Sequence, residues 1–287
     1  MTTSAILQAI NGTSLAALLF LVASGFTLTF GLMRVVNMAH GAYYLLGGYI
    51  GLSIAEATGS FAAAIVGGGA SIVVLGFFID RFLIHYTGDN HLAQVLLTVG
   101  VAFVIGDVSL AIWGGDTLKV PVPPFLRGAM ELPGGIIYPT YRFALIVFGA
   151  VVAIALWALY RKTQFGAVIR AGVDDREQVS ATGIHVDRLF VMVSALASFL
   201  AGMAGVVGGA FLTLYPGTEW EILVVALVVV IVGGLGSLEG AMIGALIVGL
   251  LDAYGRWLLP EFSYFVLFGP MAVLLLFRPR GIFGRDA

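Results

Sequence analysis

Apolar residues run through this chain in long unbroken blocks, separated by short polar clusters. The blocks cover roughly 6–32, 37–57, 60–80, 92–113, 142–160, 189–212, 221–235, 239–257 and 262–277. Most approach the ~20 apolar residues that carry a helix across the hydrocarbon core of a bilayer. A segment in lipid must satisfy its own backbone, which leaves helices or a closed barrel. Continuous rather than alternating blocks predict helices. The expected fold is an all-α polytopic membrane protein of about eight or nine transmembrane helices, forming one transmembrane domain over 1–287. The seventh block is short and runs into "GGLGSLEG", which predicts a helix broken or turned inside the membrane. "HGAYYLLGGYIG" from His40 and "EGAMIGALIVG" from Glu239 resemble each other, each after a polar break, and point to a parallel internal repeat.

The polar interruptions hold the candidate chemistry. In "GLMRVVNMAHGAYYLLGGYIG", residues 31–51, Asn37 and His40 fall at the start of the second block. A helix start exposes N–H groups and partial positive charge, and inside a membrane it can face a carboxylate or carbonyl. Two readings stand: Asn37 and His40 line a path for a polar solute, or Asn37 is an ordinary N-cap at the interface. Arg34 reads as an interfacial anchor or as a charge beside that path. Tyr43 and Tyr44 face the path or a packing seam, and adjacent residues cannot share one narrow stripe. Ser237 and Glu239 hold the matching place in "GGLGSLEG", where Glu239 could also cap its own helix. Acidic residues inside spans are costly. Asp252 has Arg256 four residues on, which explains it by a local ion pair. Asp107, in the fourth block, has no such partner and is a further path candidate.

Composition narrows the class. The 287 residues are 60% hydrophobic and 10% charged, too few charges to cover a soluble fold. Thirty-nine glycines allow close helix approach, and "ALASFLAGMAGVVGGA" places small residues at Ala197, Ala201, Gly205 and Gly209 along one helix. No Cys is present, which excludes disulfides and thiolate metal sites, and the net charge of −2 gives no footprint for nucleic acid. The scattered histidines have no metal-ligand spacing, and no serine has a paired base, so no enzyme site is expected. "MTTSAILQAINGTS" lacks the basic start of a cleaved signal peptide. With the amino end outside, ten Lys or Arg lie on inside ends and loops and four lie outside (Lys119, Arg127, Arg142, Arg256). The positive-inside rule therefore predicts an outside N-terminus and a cytoplasmic C-terminus. Residues 114–141, with five prolines, read as an extracytoplasmic loop or cap that is neither helix nor central strand.

The inside loop 161–188, "RKTQFGAVIRAGVDDREQVSATGIHVDR", interleaves apolar residues with charges at helical spacing. Such a helix can lie on the membrane surface and fit a groove in a soluble partner, or simply anchor two spans. This loop, with the opening stretch, "ALASFLAGMAGVVGGA" and "VVVIVGGLGSLEGAMIGALIVGLL", resembles the LivH-like permeases of branched-chain amino acid ABC importers, in order and over nearly the whole chain. The resemblance implies a multi-pass permease of the bacterial inner membrane. It also implies a second related permease, two cytoplasmic ATPase subunits, a periplasmic solute-binding protein and surrounding lipid as partners. It assigns the ATPase-coupling helix to Gly166–Ile184, with Gly166, Arg170, Ala171, Asp174, Ala181, Gly183 and Ile184 as contact candidates. No G-x-x-x-x-G-K-[ST] loop occurs, so no cofactor is expected in this chain, and ATP with Mg²⁺ would bind the partner subunits. Related families move urea, short amides or small organic acids, and an ion-coupled carrier acting alone is the alternative from another class.

Overall fold

The computed structural model describes residues 2–33, 37–88, 90–132, 135–174, 176–181, 183–278 and 281–284. Nine helices correspond to the nine apolar blocks: α1 Thr2–Met33, α2 His40–Thr58, α3 Phe61–Phe82, α4 His91–Trp113, α5 Thr140–Lys162, α8 Val186–Phe211, α9 Thr218–Gly233, α10 Leu238–Leu258 and α11 Ser263–Phe277. Two short helices, α6 Gln164–Asp174 and α7 Arg176–Ala181, fill the polar loop between α5 and α8. Among the described residues six helices are long and apolar enough to cross a membrane: Thr3–Gly31, Phe61–Thr87, His91–Trp113, Thr140–Lys162, Arg188–Phe211 and Leu238–Leu258. The eight or nine expected spans therefore divide into six of full length and three others. Of those three, α2 has 12 of its 19 residues buried, so protein rather than lipid sheathes it. The 16-residue α9 is likewise held among α1, α2, α10 and α11.

Side-chain caps set several starts. Ser60 accepts from Ala63 N–H, Asn90 from Ala93 N–H and Ser237 from Gly240 N–H, each satisfying a donor that the first turn leaves unpaired. The break between α9 and α10 needs glycine. Gly234 and Gly236 have φ of 106° and 80°, in the left-handed region that other residues avoid.

The core is built from backbones in contact. A Cβ at Gly205 would overlap the Tyr44 carbonyl oxygen, one at Gly47 would overlap Gly202, and one at Gly249 would strike Gly12. These glycines bring α2 against α8 and α1 against α10 more closely than side chains would permit. α3 runs antiparallel to α8 and also packs on α2. Large apolar side chains of α3, α4 and α5 point outward, among them Phe77, Phe78, Phe103, Val104 and Val151. In a chain with so few charges this surface faces lipid or another membrane subunit.

The contacts sort the loops to two ends of the bundle. Gly31 meets Gly236, and Arg161 pairs with Glu239, at one end. At the other end Tyr254 bonds the Ala5 carbonyl, Arg142 bonds Asn11, and Leu118 pairs with Leu214 through backbone hydrogen bonds of 2.7 and 2.8 Å. Of the two segments of the expected repeat, the one at Glu239 opens α10 at the Gly236 end, whereas the one at His40 opens α2 deeper in the bundle, with Gly41 against the first turn of α9. The loop after α4 holds a short hairpin, β1 Ala129–Leu132 against β2 Ile136–Pro139. Pro121, Pro123 and Pro124 precede β1 and Pro139 ends β2, an edge position that tolerates proline, so the prolines do not preclude the hairpin. It is fastened by Tyr138, whose buried hydroxyl lies 2.8 Å from Ser14 Oγ.

Candidate functional site

Asn37 and His40 lie inside the bundle, where the chain turns into α2: Gly41 meets the Glu219 carbonyl in the first turn of α9, and the His40 ring meets α1 at Val22 and Gly25. Asn37 is buried, and its Oδ1 accepts from the Ala39 N–H at 3.0 Å. That bond builds a turn ahead of the helix. The residue at the N-cap position is Ala39, with no side-chain cap bond, and α2 begins at His40. Asn37 is thus a turn-former two residues earlier than an N-cap. His40 is buried, with Nε2 3.0 Å from the Val22 carbonyl oxygen and its ring edge-on to Phe26 at 5.7 Å. A Cβ at Gly25 would touch the same ring. His40 therefore pins α2 to α1. Arg34 lies outside the described residues.

Tyr43 and Tyr44 point into different parts of the core, as adjacent helical residues must. Tyr43 packs with Ile72, Ile79 and Ala102. Tyr44 packs with the main core and rests against Gly205 and Gly208. The Tyr43 hydroxyl has the Asn37 side chain and the Asp80 carboxylate as its polar neighbours, without the alignment of a direct hydrogen bond. Asp80, near the end of α3, accepts a hydrogen bond from the Ser194 hydroxyl on α8. Thr98 of α4 accepts from the Met38 N–H at 3.1 Å. Asn37, Tyr43, Asp80 and Ser194 thus form an interior polar group where α2, α3 and α8 converge. Asp80 was not a candidate from sequence because it ends an apolar block beside Arg81 and reads as part of a helix terminus.

The other candidates lie elsewhere. Ser237 caps α10, and Glu239 accepts from Arg161 at 2.6 Å on the bundle's end, so Glu239 pairs with α5 rather than capping its helix. Asp107 is exposed on α4, nine residues beyond Thr98 and so about 13 Å farther along the axis. Asp252 pairs with Arg256 at 2.9 Å, as the spacing predicts.

In the loop 161–188, α6 and α7 form an amphipathic platform. Ile169 and Val179 are buried beneath it. Gly166 lies against the Leu159 and Tyr160 carbonyls, where a Cβ would overlap both. Arg170 turns back to donate to the Tyr160 carbonyl and stacks over the Tyr160 ring at 5.2 Å. Gly166 and Arg170 therefore fasten α6 to the last turn of α5. Ala171, Ala181, Gly183 and Ile184 are exposed and form the outward side. The Asp174 side chain lies outside the described residues.

The profile of the family described as "Branched-chain amino acid transport system / permease component" matches residues 8–275. The chain belongs to this permease family. It is 25% identical to the high-affinity branched-chain amino acid transport system permease protein BraD of Pseudomonas aeruginosa, over 97% of this chain and 95% of the relative. It is 28% identical to the corresponding protein LivH of Escherichia coli K12, again over 97% and 95%. Among solved structures, PsaBC from Streptococcus pneumoniae in complex with Fab matches with a TM-score of 0.50 at 14% identity, covering 93% of this permease and 89% of that chain. At that identity the likeness supports the fold alone. The all-helical polytopic architecture, the membrane setting and the role of transport permease follow together.

Proposed function

We propose that this permease forms half of the membrane channel of an ATP-driven importer, paired with a second related permease, and that it moves amino acids with aliphatic side chains. Two cytoplasmic ATPase subunits would bind ATP and Mg²⁺, and an extracytoplasmic binding protein would deliver the solute. The amino terminus lies outside and the α6–α7 platform inside, following the ten-to-four bias of basic residues. The observation that carries this reading is the full-length family match joined to an exposed amphipathic platform seated on helix ends.

The platform has a physical route into the bundle. An ATPase engaging Ala171, Ala181, Gly183 and Ile184 would displace α6. Gly166 and Arg170 tie α6 to α5, and Arg161 of α5 ties to Glu239 at the start of α10. That start follows the glycine break which touches Gly31 of α1. The chain re-enters the bundle just beyond, at Asn37, so the interior polar group is where the movement would alter access. Purification of the tagged permease with its neighbours tests the reading: an ATPase and a second permease should co-purify, and the cognate binding protein should gain thermal stability with leucine, isoleucine or valine. Stabilisation only by amides, urea or aromatic acids would overturn the substrate assignment.

A further inference from the structure

A cleft of about 660 Å³ lies at the N-terminal end of the bundle, between α1, α9, α10 and the turn after α8. Its chemistry changes with depth in the same way on three helices. Moving inward on α1, Gln8 and Asn11 give way to Leu15 and Leu19. On α9, Thr218 and Glu221 give way to Ile222 and Val225. On α10, Arg256 and Asp252 give way to Val248. Three independent segments thus share one gradient, with charge at the mouth and aliphatic carbon at the floor.

The mouth holds one cation and one anion not committed to each other. Arg142 donates from Nη1 to Asn11 Oδ1 at 2.9 Å and stacks over Phe211 at 5.2 Å. Among the described residues it is in no ion pair, and no other side-chain hydrogen bond from its guanidinium is seen. Its planar fork is held in place with donors to spare, the arrangement that suits a carboxylate. Glu221 accepts from the Tyr215 hydroxyl at 2.8 Å and is likewise in no ion pair among the described residues. Asp252 and Arg256 neutralise each other. The rim also stores strain. Thr213, a β-branched residue lining the cleft, has a φ of 130°, held there beside the Leu118–Leu214 backbone pairing. Such outliers cluster at ligand sites.

We propose that this cleft binds a free amino acid in transit, Arg142 taking the carboxylate, Glu221 the ammonium, and Leu15, Leu19, Val225 and Val248 the aliphatic side chain. The assignment rests on the amino-acid permease reading and adds a site within this one chain. A zwitterionic lipid headgroup shares the same chemistry, so the test separates the two sources.

The test uses the assembled complex in phosphatidylglycerol nanodiscs, without nucleotide or binding protein. Equilibrium binding of radiolabelled L-leucine is competed with isopentylamine, which lacks the carboxylate, and with 4-methylpentanoate, which lacks the ammonium. Wild type should prefer leucine to either analogue by roughly tenfold, the worth of one charge-assisted hydrogen bond. Arg142→Gln should bring leucine level with isopentylamine, and Glu221→Gln should bring it level with 4-methylpentanoate, each leaving the other preference in place. Arg142→Lys should keep part of the preference, which separates loss of charge from loss of fold. Equal binding of leucine and its analogues to wild type would overturn the assignment. So would variants that bind as wild type does. Leucine binding that vanishes in phosphatidylethanolamine discs, with that lipid found retained by mass spectrometry, would give the cleft to a headgroup instead. If ATP-driven leucine uptake persists while binding ignores Arg142 and Glu221, this inference falls and the permease reading stands. If the complex takes up no aliphatic amino acid, both fall.

Discussion

At the residue scale, Asn37 and His40 separate into two roles that their spacing in sequence could not distinguish. His40 gives its ring to α1 through Val22 and Phe26 and is a packing residue in this conformation. Asn37 shapes the turn yet also borders the polar group of Tyr43, Asp80 and Ser194. A solute passing there would exchange hydrogen bonds with these groups, each worth on the order of 1–3 kcal/mol when buried. Asn37→Ala is therefore expected to lower uptake per assembled complex by roughly 5- to 100-fold. His40→Ala should instead lower the amount of complex in the membrane and leave specific uptake near wild type. Uptake normalised to quantified complex reads both, and normal specific uptake in Asn37→Ala would reduce the break to a structural turn. Asp80 was not legible beforehand because its partner, Ser194, is 114 residues away. Asp252 was legible because its partner is one helical turn away.

At the element scale, local pattern carried most of the information. Every apolar block became a helix, and the amphipathic charge pattern of 161–188 became α6 and α7. The hairpin at 129–139 escaped because each strand is four residues long. The ladder Ala197, Ala201, Gly205 and Gly209 marked α8 as tightly packed but did not say which backbone it meets, because that partner is distant in sequence. Gly205 touches α2 directly, so Gly205→Ala should cost about 1–3 kcal/mol through overpacking and lower the melting temperature of the detergent-solubilised permease. Gly100 has open space around its would-be Cβ, and Gly100→Ala should leave the melting temperature unchanged or slightly raised. Equal effects at both sites would contradict the backbone-contact account. On the platform, Ala171 is exposed and Arg170 is turned inward. Ala171→Trp should leave the complex assembled but reduce uptake far more than ATP hydrolysis, by placing bulk at the proposed docking surface. Unchanged uptake and hydrolysis would remove α6 from the coupling route.

At the scale of the whole molecule, the contacts divide the loops between two ends, and the basic residues crowd one of them. The proposed sidedness is open to direct labelling because the chain has no cysteine of its own. A single cysteine at Thr3 should react with an impermeant maleimide in intact cells, whereas one at Ala181 should react only after lysis. The reverse pattern would invert the sidedness. The central claim is that this bundle transports because a partner hydrolyses ATP against its platform. The most direct measurement reconstitutes the complete complex in liposomes, with ATP and Mg²⁺ supplied on the ATPase side and the binding protein and radiolabelled leucine on the other. Leucine should accumulate with ATP, fail to do so with a non-hydrolysable analogue, and be unaffected by ionophores that collapse proton and sodium gradients. Accumulation driven by an ion gradient without ATP would contradict the account and make the chain a secondary carrier.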